Sequence, residues 1–224
     1  MNTVVVTAYY PIRTGKHTND EYKIWISNFF KCVSCPIIVF CDETFNKEIF
    51  SNVRYVVRDF SSFKLMQEPW KTRWEEWHKF DSEKDIHSPE LYAIWAAKQE
   101  FVQEAIKISN FDNYIWCDIG CFRNIRNGSF KNVENYIKPS KITCLNVSNL
   151  PGVTTKTIGG GVLAGDKDAW KNFTKLYLEE LERDIHGKDQ IIYQRILNDS
   201  NAVIIEPSYR YGDPWFYLTY IFSM

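Results

Sequence analysis

Residues Thr3-Val4-Val5-Val6-Thr7-Ala8-Tyr9 are β-branched and apolar almost throughout, so a strand built from them has no face to offer water. Such strands belong inside parallel sheets, where helices cover both sides. Residues 36–42 repeat the pattern and end in an acid, residues 53–59 look like a third strand, and a helix over 21–31 lies between the first strand and the second. The strand–helix–strand–strand opening predicts an α/β fold with a mostly parallel central sheet and helices on both faces.

The most informative strand comes later. Tyr114-Ile115-Trp116-Cys117-Asp118-Ile119-Gly120-Cys121-Phe122 reads as a buried strand that ends abruptly in a carboxylate and then a glycine. In open α/β sheets, ligands sit beyond the carboxyl ends of the strands. Asp118 is therefore the first candidate for a ligand or metal contact. A turn capped by Asp118, with Gly120 supplying a positive φ, explains the same residues equally well.

The rest of the chain alternates in the same way. Ser88 is a natural N-cap and Pro89 fits the first helical position, which predicts one long helix through Lys107. A strand over 141–147 follows, and then the glycine-dense strand 158–165. Glycines weaken a strand unless a backbone or ligand approaches closely. Asp166 caps a helix to about Arg183, another helix runs from 187–190 to Leu197, and a strand over 202–207 precedes an aromatic tail. Trp70, Trp74 and Trp77 share one helical face, read first as packing and second as a sugar platform.

Composition limits the functions available. The chain has 224 residues, 45% of them apolar and 16% aromatic, enough for one large domain with a sizeable core. Rings in this number also suit a cleft for flat ligands such as sugars and bases. A formal charge of −1 gives no electrostatic case for nucleic acid as a partner. The four histidines are scattered and form no zinc pattern. Cys32 and Cys35 form a C-x-x-C pair, but it precedes a strand instead of following one and opening a helix, which argues against redox work. With no leader or membrane-spanning run in the sequence, the expected setting is cytoplasmic with free thiols, at most peripheral to a membrane.

Three features in order resemble the GT-A glycosyltransferases, a Rossmann-like fold. They are a helix carrying Lys98, a strand ending in Asp118, and a glycine-rich strand followed by Asp189-Gln190 at a helix start. Val5-Val6-Thr7-Ala8-Tyr9, the segment from Ser88 to Lys98, Trp116-Cys117-Asp118-Ile119-Gly120-Cys121-Phe122-Arg123 and Gly159-Gly160-Gly161 are similar, more closely, to the HtrL/YibB family, which is associated with surface-polysaccharide genes. The resemblance implies one GT-A-like domain over 1–224, with a nucleotide-sugar donor half over about 1–125 and an acceptor half over about 126–224. It implies an enzyme that moves a sugar from a nucleotide-diphosphate donor to a glycan, lipid-linked or other hydroxyl acceptor.

The resemblance also implies roles. Thr7, Ala8 and Tyr9 would hold the nucleoside, with Asp42 as a weaker contact. Lys98, 20 residues before Asp118, would reach the donor. Gly159, Gly160 and Gly161 would offer backbone contacts to the sugar. Asp189 and Gln190 would lie across the cleft beside the reacting carbon, where Asp189 stabilises positive charge, orients the acceptor or serves as general base. GT-A enzymes usually hold a divalent metal with a D-x-D motif. Here Asp118-Ile119-Gly120 keeps the first acid and replaces the second, which implies a weak Mn²⁺ or Mg²⁺ requirement met only alongside the donor. Arg123, Lys98 and Lys188 are the candidates for a metal-free alternative.

Two other classes remain. A nucleotidyltransferase on a related sheet needs a glycine-rich basic loop after the first strand, and residues 11–16 hold one glycine and two basic residues. A nucleotide- or sugar-binding module that has lost catalysis is the non-enzymatic alternative.

Overall fold

A computed structural model describes residues 2–12, 17–153 and 157–224. In chain order the elements are β1 (Thr3–Tyr9), α1 (Asn19–Cys32), β2 (Ile37–Cys41), β3 (Val53–Val57), α2 (Trp70–His78), α3 (Pro89–Ala96), α4 (Lys98–Ile108), β4 (Asn113–Cys117), β5 (Ile142–Asn146), β6 (Ile158–Asp166), α5 (Lys167–Arg183), α6 (Asp189–Ile196), β7 (Ala202–Ile205) and α7 (Tyr217–Ile221).

The seven strands form one sheet in the order β3-β2-β1-β4-β6-β5-β7. Four pairings are parallel, and β6 runs antiparallel to both of its neighbours. The sheet is therefore mixed but mostly parallel, as the apolar strands imply. Alternate residues serve its two faces. Val4, Val6, Phe40, Tyr114 and Trp116 pack into one core with α4 and α5. Val5, Val39, Ile115 and Cys117 pack into the other with α1 and α7.

The chain adds β2 and β3 on one side of β1 and then returns to place β4 on the other. This reversal leaves the carboxyl ends of β1 and β4 side by side with no crossover covering them, the usual place for a ligand in an open α/β sheet.

Local chemistry fixes the helix starts. Thr18 and Glu21 form a reciprocal capping box on α1. Ser88 Oγ accepts the Leu91 N–H at 3.3 Å, and Asp166 Oδ1 accepts the Ala169 N–H at 2.7 Å. Trp70 and Trp74 are buried and Trp77 packs against the same core, so this helical face serves packing.

One expectation fails. The long helix over 89–107 is two helices, with a break at Ala97. Ala97 has φ −81° and ψ −3°, away from helical ψ. The break turns Lys98 and Gln99 inward, where both are buried. No glycine or proline marks it, so periodicity reads straight through.

Candidate active site

A cleft of about 930 Å³ opens at the carboxyl ends of β1 and β4, within the size range of small-molecule sites. Its floor is Asp118, whose side chain keeps 38% of its surface open. Three contacts fix the residue. Its N–H donates to Gly161 O at 2.8 Å, joining β4 to β6. Trp116 Nε1 donates to Oδ1 at 2.7 Å. Lys98 Nζ lies 3.2 Å from Oδ1 and 3.3 Å from Oδ2.

Lys98 organises the centre of the site. Its side chain is only 4% exposed, and its amine also reaches Asp189 Oδ2 at 2.8 Å and Gly160 O at 2.8 Å. Burial alone would push the amine's pKa down. Asp118 and then Asp189 outweigh burial, so the pKa rises and Lys98 stays an ammonium. Burial raises the Asp118 pKa; Lys98 opposes that rise and the Asp189 charge adds to it.

The geometry corrects the expected separation of these groups. Asp189 does not face Asp118 across an open cleft, and Lys98 is not a free basic group on the donor side. One buried ammonium ties the two acids together, and Asp189 is itself 5% exposed. Gly160 makes this possible, because a Cβ there would stand 2.7 Å from Asp189 Oδ2.

Ala8, Tyr9, Gly159, Gly160, Gly161 and Gln190 line the cleft, as do Arg123 and Lys188. Thr7 and Asp42 do not. Thr7 is fully buried. Asp42 Oδ1 accepts from Thr44 N at 2.9 Å and Thr44 Oγ1 at 2.6 Å, the turn arrangement. Residues 13–16 of the basic loop lie outside the described residues.

Several cleft residues were not singled out from sequence. Tyr22, Trp25 and Trp95 sit on helical positions that read as core, and Trp215 and Phe216 reach the site from the aromatic tail. His87 and Glu83 also line the wall. Among the described residues, Asp81, Glu83 and His87 form a group whose ligand atoms lie within 4.8 Å of one another, a composition able to hold a metal ion. No spacing motif announces it. The protein already satisfies these groups. Asp81 Oδ2 accepts from Tyr92 OH at 2.6 Å and pairs with His87 Nδ1 at 2.7 Å, and Oδ1 accepts the Glu83 N–H at 3.0 Å. Glu83 is ion-paired with Lys188. Burial opposes ionisation of Asp81, but Tyr92, the Glu83 N–H and His87 prevail and hold its pKa down at about 2.

The surroundings of Asp118 do not fit a divalent ion. Such ions take six or more oxygens in close contact. Here the two nearest carboxylates share an ammonium, and the motif's second acid is Gly120. A Cβ at Gly120 would stand 3.3 Å from the Trp25 ring, so the indole crowds the point from which a second acid would project.

The six cysteines are free, and burial pushes the Cys35 thiol up to about 12. A protonated, unpaired thiol is a poor redox group. Among the described residues no helix is long and apolar enough to cross a membrane.

No family model and no curated protein matches the chain. Solved structures do, at low identity. A glycosyltransferase involved in the glycosylation of the major capsid of PBCV-1 is 13% identical over 91% of this chain and 81% of that one, with a TM-score of 0.46. The glycosyltransferase GlyE of Streptococcus pneumoniae TIGR4 is 10% identical over 91% and 45%, at 0.45. The bifunctional IspDF of Campylobacter jejuni is 12% identical over 93% and 50%, at 0.42. The chain thus spans about half the length of the last two. At these scores no residue's role passes from them to this chain.

Proposed function

We propose that this chain is a glycosyltransferase that takes a sugar from a nucleotide-diphosphate donor, in keeping with its resemblance to the GT-A enzymes and the HtrL/YibB family. The observation that carries the reading is Asp118. It is a carboxylate held by two donors yet open to an aromatic-lined cleft, at the reversal point of a mostly parallel sheet. The carboxyl edge of β1, with Ala8 and Tyr9, suits the nucleoside, and the rings of Tyr9 and Tyr22 suit its base. Gln190 and the tail residues Trp215 and Phe216 suit the sugar and a glycan or lipid-linked acceptor. The donor and acceptor halves meet at β4 and β6. A role in polysaccharide assembly on the cytoplasmic side of a membrane follows from the same resemblance.

In the reaction, the bond between the sugar's anomeric carbon and the diphosphate oxygen breaks. The nucleoside diphosphate leaves with the bonding pair. The acceptor hydroxyl oxygen bonds to the anomeric carbon, and its proton passes to solvent or a cleft base. The chain contributes positioning and fixed charge. Asp189, tied to Lys98 and covered by Gly160, suits electrostatic stabilisation of a positively charged sugar better than proton abstraction.

One observation favours a second reading, that of a binding module. Asp118 and Asp189 share one ammonium, Lys98, which offsets one of their two charges and engages both side chains in the protein's own contacts, as in a site that holds a ligand without turning it over. Incubation with a panel of nucleotide-sugars separates the two. Release of free nucleoside diphosphate, lost in Asp118→Asn, supports the enzyme. Binding with no release under any acceptor condition supports the module.

A further inference from the structure

The cations of the cleft are not interchangeable. Lys98 is consumed by Asp118 and Asp189, and Lys188 by Glu83. Arg123 lines the same cleft and has no carboxylate partner among the described residues. Its guanidinium instead lies over two rings, 4.7 Å from the Trp25 centroid and 5.3 Å from that of Phe216. Aromatic contact of this kind holds a guanidinium in place and leaves its five N–H donors free for an anion. Trp25 is also the residue that crowds Gly120, where the missing second acid would stand.

We infer that the cleft binds a nucleoside diphosphate without a divalent ion, with Arg123 on its Trp25–Phe216 shelf as the group that takes the diphosphate. The inference rests on the donor reading above. Two features make a metal redundant here. Between the acids, the position of a hard cation is filled by the Lys98 ammonium. Beside Gly120, where a second acid would hold the ion, stands the Trp25 indole with the Arg123 guanidinium over its face. A planar guanidinium pairs with two phosphate oxygens at once and needs no carboxylate scaffold. Donor, cation and leaving group then form a metal-free arrangement, and the departing charge is met by Arg123.

The test is calorimetric titration of the full chain with UDP, GDP, ADP and CDP, in excess EDTA and again in Mn²⁺. The expected result is that the preferred nucleotide binds in EDTA within about threefold of its affinity in Mn²⁺. Arg123→Ala should weaken that binding about tenfold or more, equivalent to ~1.4 kcal/mol, and leave the parent nucleoside's binding unchanged. Arg123→Lys, which keeps charge but loses the planar fork, should fall between. Arg123 is exposed, so the variants should fold, which their thermal melts would verify. Binding that appears only with Mn²⁺, or that survives Arg123→Ala undiminished, overturns the inference and leaves the donor reading standing. If none of the four nucleotides binds in either buffer, the donor reading itself falls, and the inference falls with it.

Discussion

Lys98 shows what a single residue can hide. In the sequence it is one lysine on an apolar helix, and the resemblance places it on the donor. In the fold it is a buried ammonium with two carboxylates and a carbonyl as partners. Nothing local encodes that environment, because the partners come from 20, 62 and 91 residues away in the chain. Asp118 was legible for the opposite reason: an acid closing an apolar strand conflicts with its surroundings at the level of sequence. The two residues give distinct predictions. Asp118→Asn keeps an acceptor for the Trp116 and Lys98 donors, so it should fold and lose turnover, as read by melting temperature and nucleotide release. Lys98→Met leaves the buried Asp189 and the partly open Asp118 facing one another without a cation. Breaking a buried pair from one side costs roughly 3–5 kcal/mol, so urea unfolding should show a large loss before any assay of function. An unchanged unfolding midpoint in Lys98→Met would mean that the acids are neutralised by other means.

The elements were largely legible, and their errors have physical causes. Strands apolar on both faces, an N-cap Ser followed by Pro, and an Asp before α5 all act through nearest neighbours in the chain. The break at Ala97 does not. It brings Lys98 to partners distant in the chain, and alanine gives no warning of it. In the sequence, the glycines of β6 point to a close approach by a backbone or ligand. The structure adds an internal demand, because Gly160 leaves space for the Asp189 carboxylate. A methyl group there must displace a buried, ion-paired side chain. Gly160→Ala is therefore predicted to destabilise by about 1–3 kcal/mol, the usual range for overpacking. Gly161→Ala, whose Cβ would meet nothing closer than 3.4 Å, should cost clearly less. Parallel denaturant curves on the two variants would compare them directly, and equal losses would count against the Asp189 explanation.

At the scale of the whole molecule, the segment between α2 and α3 ties the cleft wall to the body of the protein through Asp81. Its carboxylate gathers Tyr92, His87 and the Glu83 N–H into one buried cluster, and the Glu83–Lys188 pair extends the link to the start of α6. This region is not legible in the sequence, because its acids and histidines follow no spacing rule. The pH dependence of stability should expose it. The folded Asp81 pKa lies at about 2, below the ordinary 3.8, so the folded state prefers the ionised form. The stabilisation is fully present above 3.8 and is lost as pH falls toward 2. A shift of this size is worth about 2 kcal/mol. Urea unfolding across that window should show wild-type stability falling on acidification by more than in Asp81→Asn. That variant should start lower at neutral pH, because its amide cannot accept all three donors, and the two curves should converge at the acid end. Parallel curves with a constant gap would mean that Asp81 contributes through packing alone, and that another carboxylate governs the acid limb.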